Sequence, residues 1–230
     1  MMRSFIYDPA RFHSAPLRRR FETYLEGAPE GIDSHPDPEE QVRLFYLVQG
    51  LLAVHPDFFP GYIALLDCKL VDEFPGMREE LIERAADELL ALLVGPGEEF
   101  PESVPYAAGN NRDVYGLLYE AGMLWWQYSS AETDLGELME VGIPEVDQAL
   151  DRAEDREDAL HLFENLLFAD DTDPLDLRFP LLAMLEDMDL SAFVRRFPWT
   201  EEGGYPAEAH AWFAATAVAY RNRFPQAVLR

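Results

Sequence analysis

Apolar residues recur at steps of three and four along most of this chain, and no stretch shows the two-residue alternation of a half-buried strand. That regularity commits the chain to helices. Between 114 and 128, Val114, Leu117, Leu118, Ala121, Trp125 and Tyr128 fall on one stripe. Between 77 and 93, Met77, Leu81, Ile82, Ala85, Leu89 and Leu93 share one side, while Glu79, Glu80, Glu83, Asp87 and Glu88 share the other and meet water.

Helix ends are signed locally. Asp37 stands as an N-cap before Pro38, with Glu40 in the capping-box position, and the run Asp173–Asp176 repeats the idea. Phe-Pro pairs at 59–60, 74–75, 100–101, 179–180, 197–198 and 224–225 punctuate the helices, because proline pushes the residue before it out of helical geometry. The signals predict helices at 17–26, 38–54, 60–74, 77–94, 111–129, 155–169, 175–188, 190–197 and 206–223, with Pro180 kinking the seventh or delaying its start. The expected fold class is all-α, antiparallel hairpins joined by short links. Two regions are expected: residues 1–37 as a basic arm with a short helix, and 38–224 as one helical domain. An acidic insertion at about 130–154 interrupts that domain, with a short amphipathic helix expected around Val146–Ala153.

At 230 residues such a chain buries roughly 70–75% of its unfolded surface, enough for a full core. Its 44 acidic residues against 18 basic ones give a net charge of -26, and Lys69 is the only lysine. A surface of that sign repels phosphates, so direct nucleic-acid binding is excluded as an expectation. It serves solubility or attracts a basic partner. Arg3, Arg11, Arg18, Arg19 and Arg20 oppose only Asp8 in the first twenty residues, so this head can dock on the chain's own acidic body or serve as a basic arm. The single cysteine, Cys68, rules out an internal disulfide and a multi-cysteine metal site, and its apolar helical context predicts a buried, inert thiol. No apolar run reaches the length of a membrane span and the N-terminus lacks a signal-peptide core, so no membrane partner and a cytoplasmic location are expected.

Chemical motifs are missing. His13, His35, His55, His161 and His210 are dispersed, so no metal is expected. The run Asp170, Asp171, Asp173, Asp176 lacks the central glycine of a calcium loop and puts Leu182 where a bidentate glutamate belongs, which leaves a helix cap and turn. There is no nucleophile elbow and no phosphate-cradling glycine loop, so no catalytic residue, no cofactor and no enzyme are expected. Asn110, Asn111 and Arg112 read as groups that cap and position the helix they open.

The helices also repeat. Leu118, Ala121, Gly122 and Trp125 follow the first-helix spacing of a tetratricopeptide repeat, and Ala159, Phe163 and Leu166 follow the second-helix spacing. Phe179, Leu182 and Ala183 begin a further first helix, and Trp212, Ala215, Thr216 and Ala219 another, with Phe179 and Trp212 33 positions apart against a period of about 34. Tyr62 and Leu65, then Ala85, Leu89 and Leu92 before Pro96, fit more loosely. In the stretches NNRDVYGLLYEAGMLWW, REDALHLFENLLFADDTDPLDLRFPLLAML and AWFAATAVAYR the chain resembles the tetratricopeptide-repeat superfamily, in particular its divergent bacterial members. The resemblance implies stacked helical hairpins in a superhelix whose concave face binds a peptide or protein. It places Tyr119, Met123, Trp126, Gln127, Met184, Tyr220 and Arg221 near that face, although each also suits a core between repeats. The expected function is therefore a non-enzymatic interaction scaffold. Its alternatives are an acidic decoy for the basic surface of a nucleic-acid-binding protein and an enzyme with a carboxylate site outside known motifs.

Overall fold

A computed structural model of the chain describes residues 3–96, 98–130, 145–200 and 204–223. Among them are ten α-helices, two short 3-10 turns and no β-strand, so the fold is all-α. The chain divides into two compact units, Met1–Ala121 and Gly122–Arg230. The division falls inside a helix rather than near residue 37, because the expected arm is built into the first unit's core: Phe5, Tyr7, Leu17, Ala28 and Ile32 are all buried.

The first unit holds α1 (Pro9–Phe12), α2 (Ala15–Tyr24), α3 (Pro38–Leu52), α4 (Phe59–Leu66), α5 (Met77–Leu93) and the opening of α6 (Asn111–Ser130). Short polar side chains start the first three of these helices. The Asp8 carboxylate accepts from Ala10 N–H, the Ser14 hydroxyl from Leu17 N–H and the Asp37 carboxylate from Glu39 N–H, each just before or beside a proline in the first turn. Helix α3 buries Leu44, Phe45, Val48, Leu51 and Leu52 and packs on α4, which packs in turn on α5 through Leu81, Ile82, Ala85 and Leu89. Each large apolar side chain buried this way contributes about 1.5–3 kcal/mol. The helix expected at 60–74 ends at Leu66 and resumes as a 3-10 turn, Lys69–Glu73. The Asp33 carboxylate accounts for the break, since it accepts from Lys69 N–H at 3.1 Å and from the Cys68 thiol at 3.2 Å.

An amide clamps the head. Asn111 is fully buried; its Oδ1 accepts from Tyr7 N–H at 2.8 Å, and its Nδ2 donates to the carbonyls of Phe5 and Pro105, both at 3.0 Å. Phe5 N–H donates to the Ser103 carbonyl, and the Arg3 guanidinium donates to the carbonyls of Leu93 and Glu99 and pairs with Glu98. Gly109 turns the chain here at φ 57°, and a Cβ on it would lie 2.7 Å from the Tyr7 carbonyl oxygen. The basic head thus docks on its own unit through the Asn111 amide and the Arg3 guanidinium, both of which bind mainly backbone groups.

The second unit holds the rest of α6 with α7 (Glu145–Ala169), α8 (Arg178–Leu185), α9 (Leu190–Arg196) and α10 (Ala207–Arg223). The helix expected at 155 begins at Glu145, so the short helix anticipated around Val146–Ala153 is part of α7; residues 131–144 of the expected insertion, and the 224–225 stop, lie outside the described residues. Gly122 of α6 faces the Phe163 ring of α7 so closely that a Cβ would collide with it, and Ala159 beside that contact is fully buried. Helix α8 starts three residues later than 175, with Pro180 in its first turn where no intrahelical donor is needed, and it buries every residue from Phe179 to Met184. The Asp173 carboxylate accepts from Leu177 N–H at 2.6 Å ahead of it. Aspartates also occupy three left-handed turns, at φ 49° (Asp173), 53° (Asp176) and 61° (Asp187), a conformation that their short polar side chains tolerate. Phe179 anchors the core against Tyr205, His210 and Phe213 at centroid distances of 4.6–5.0 Å.

Candidate functional site

Helix α3 has more apolar surface than its packing consumes. The side opposite Leu44, Leu51 and Val48 carries Val42 and Tyr46, continued by Ala53 at the C-cap, at steps of four and seven, all exposed, with Tyr46 54% accessible. On such a helix these three and Gln49 form one stripe about three turns long. Gln49 is also the first wall of a cleft of about 130 Å³ that runs between α3, α4 and α5 and is lined by Leu52, Leu65, Met77, Glu80, Leu81 and Arg84. The cleft and the stripe therefore share a border.

The cleft combines an apolar floor with a few polar groups. Gln49 Nε2 donates to the Met77 sulfur at 3.4 Å, which orients both side chains along the rim. Arg84 and Glu80, one turn apart, stand 3.8 Å from each other at the surface, a loose pair that contributes little. Behind them the Tyr62 hydroxyl is fully buried without a well-formed hydrogen bond, although the Arg84 guanidinium stands beside it. Burial pushes the Tyr62 phenol above the ordinary tyrosine range, and Arg84 pulls it partly back. The cleft has room for one side-chain tip or several waters. Exposed Glu39 at the N-terminal end of the stripe and exposed Glu80 on the cleft rim give this face a negative border.

The residues singled out from the repeat spacing scatter. Tyr119 is half-buried in the first unit; Met123 and Tyr220 are half-buried and Gln127 and Arg221 exposed in the second. Trp126 and Met184 belong to the second unit's core and present no surface to a partner. Trp126 is fully buried, its indole N–H donates to the Met188 carbonyl at 3.2 Å, and its ring lies 5.3 Å from Phe193. Helix α9 thus covers the side of α6 expected to face a groove, and Trp125 is the half-buried member of the pair. Met184 is enclosed because α8 is apolar all round. Burial and the carboxylates of Glu164 and Glu186 raise the Tyr220 phenol. What sequence spacing missed is the α3 stripe, whose signal was present in Val42, Tyr46 and Ala53.

Cys68 is buried and donates to Asp33, and burial with that carboxylate pushes its thiol up to about 12, the character of an unreactive thiol. Of the acidic run, Asp173 accepts from Leu177 N–H in the turn before α8 and pairs with Arg178 at 3.4 Å, Asp176 pairs with the same guanidinium at 3.0 Å, and Asp170 binds Thr172, so these side chains serve the turn. Among the described residues no group of three or more His, Cys, Asp or Glu is placed to hold a metal ion, and no helix is long and apolar enough to cross a membrane. No family model matches the chain, and neither a curated protein nor a solved structure matches it.

Proposed function

We propose that this chain is a protein-interaction scaffold, that its hairpins are tetratricopeptide-like, and that the α3–α5 face of the first unit takes an amphipathic, basic segment of a protein partner. The observation that carries the reading is the exposed Tyr46, standing in an apolar stripe that borders a side-chain-sized cleft on a surface otherwise crowded with carboxylates. An exposed tyrosine of this kind supplies large, rigid contact area at low entropic cost, and the neighbouring cleft receives an apolar anchor. Glu39 and Glu80 complement basic residues flanking that anchor. The repeat reading is supported by Gly122 against Phe163, a close approach of two helices that the spacing anticipates.

The test is a displayed library of amphipathic peptides, selected on the intact chain and titrated against the Tyr46→Ala variant. Binding weakened about tenfold or more, with the melting temperature unchanged, supports the assignment. Selected peptides that bind both proteins equally would show that this face is not used. The net charge of -26 favours a second reading, in which the acidic exterior as a whole captures a basic protein surface. That mode loses affinity steeply with salt and is indifferent to Tyr46→Ala.

A further inference from the structure

The head of the first unit is held by groups that do not titrate near neutrality, with one exception. His13, immediately after α1, is 7% exposed, and its Nε2 lies 2.9 Å from the Tyr7 hydroxyl. Its ring meets Phe58 edge-on at 5.0 Å, while Tyr7 stacks on Phe12 and meets Phe59 edge-on at 5.3 Å. The charged and titratable groups facing the imidazole are few: Tyr7 itself, the exposed Asp57 carboxylate 3.8 Å from Nδ1, His55 from the loop after α3, and Arg18 of α2. The Arg18 Nε is buried without a hydrogen-bond partner, so one edge of that half-buried guanidinium is already cut off from water.

We propose that the Tyr7–His13 pair is a pH-sensitive latch: with His13 neutral the N-terminal head, residues 3–24, stays seated on the first unit, and protonation of His13 unseats it. A neutral imidazole satisfies the site in the tautomer that accepts the Tyr7 hydroxyl proton at Nε2 and turns its Nδ1 hydrogen toward Asp57. A protonated one must donate from both nitrogens. The Tyr7 hydroxyl must then turn its proton away to accept from Nε2, and a second cation enters an aromatic niche near Arg18. Burial holds His13 below its ordinary value of 6.5 against the opposing pull of Asp57, which agrees with this geometry. The sign follows from linkage. Seating lowers the affinity of His13 for a proton, so the seated state is favoured above about pH 6.5 and is lost as the pH falls below it, until His13 is protonated in both states.

Hydrogen exchange of the full chain at about pH 7.5 and about pH 5, corrected for intrinsic rates, reads the latch directly. The expected result is a loss of protection over residues 3–24 that reaches at most about thirtyfold at pH 5, with α5 unchanged and the pH dependence abolished in His13→Gln. Head protection that does not change with pH, or that changes equally in His13→Gln, overturns the proposal. If His13→Gln does not fold, an NMR titration of the unsubstituted chain decides. His13 titrating below the exposed His161 supports the latch, and His13 titrating at or above it contradicts it.

Discussion

In the first unit the polar groups that fix the chain reach about a hundred positions along the sequence, from Asn111 to Tyr7 and Phe5 and from Arg3 to Leu93. In the second, the carboxylates that fix the turns act on residues two to five positions away, Asp170 on Thr172, Asp173 on Leu177 and Arg178, Asp189 on Ala192. The first arrangement is a buried neutral amide whose loss strands three backbone groups away from water. The second is a set of aspartates at helix starts, partly reinforced by arginines at the surface. The difference sets how each unit responds to substitution: the amide clamp is costly to break and insensitive to ions, while each local carboxylate contact is individually modest.

The largest effect is expected at the clamp. Asn111→Ala leaves Tyr7 N–H and the Phe5 and Pro105 carbonyls unpaired and is expected to cost about 2–4 kcal/mol. Denaturant unfolding followed by circular dichroism measures it, and an equal cost in high and low salt sharpens the contrast. Gly122→Ala comes next. Forcing a methyl against the fully buried Phe163 ring is expected to cost about 1–3 kcal/mol, more than the roughly 1 kcal/mol that alanine gains over glycine in a helix. All four tryptophans, Trp125, Trp126, Trp199 and Trp212, lie in the second unit, so tryptophan fluorescence reports this unit's transition, and Phe163→Leu in the same chain should recover much of the loss. The smallest pair of effects is at Asp173. Asp173→Ala removes the acceptor of Leu177 N–H and strains a residue at φ 49°, for about 1–2 kcal/mol, whereas Asp173→Asn keeps the turn and costs less than about 1 kcal/mol, as denaturant unfolding measures.

The same contrast explains what could be read beforehand. The helix start at Asp37 was legible because a cap acts within a few residues of its own side chain, whereas the start expected after Asp173 moved to Arg178, with Leu177 at the N-cap, because Asp173 and Asp176 first take left-handed turns. The all-α class was legible because every described helix except the single turn Pro9–Phe12 follows a run of three- and four-residue steps. Asn111 could be seen to open a helix, but its partners near residue 5 are invisible to any local rule. Trp125 and Trp126 differ by one position, or 100° around a helix, and which of them is buried depends on Phe193 of α9, far along the chain. The α3 stripe was overlooked for the opposite reason. Its apolar residues are present in the sequence, yet only the packing of Leu44, Val48 and Leu51 inward reveals that Val42 and Tyr46 are left outside.

Site-specific photo-crosslinking tests the interaction face most directly. A benzophenone side chain is placed at Tyr46 and, separately, at the exposed Asp87 of α5, and both proteins are irradiated in native lysate at low and high salt. A docking face on α3 gives a discrete protein adduct from position 46 that persists at high salt and is absent from position 87. Adducts common to both positions, or none from position 46, would contradict it.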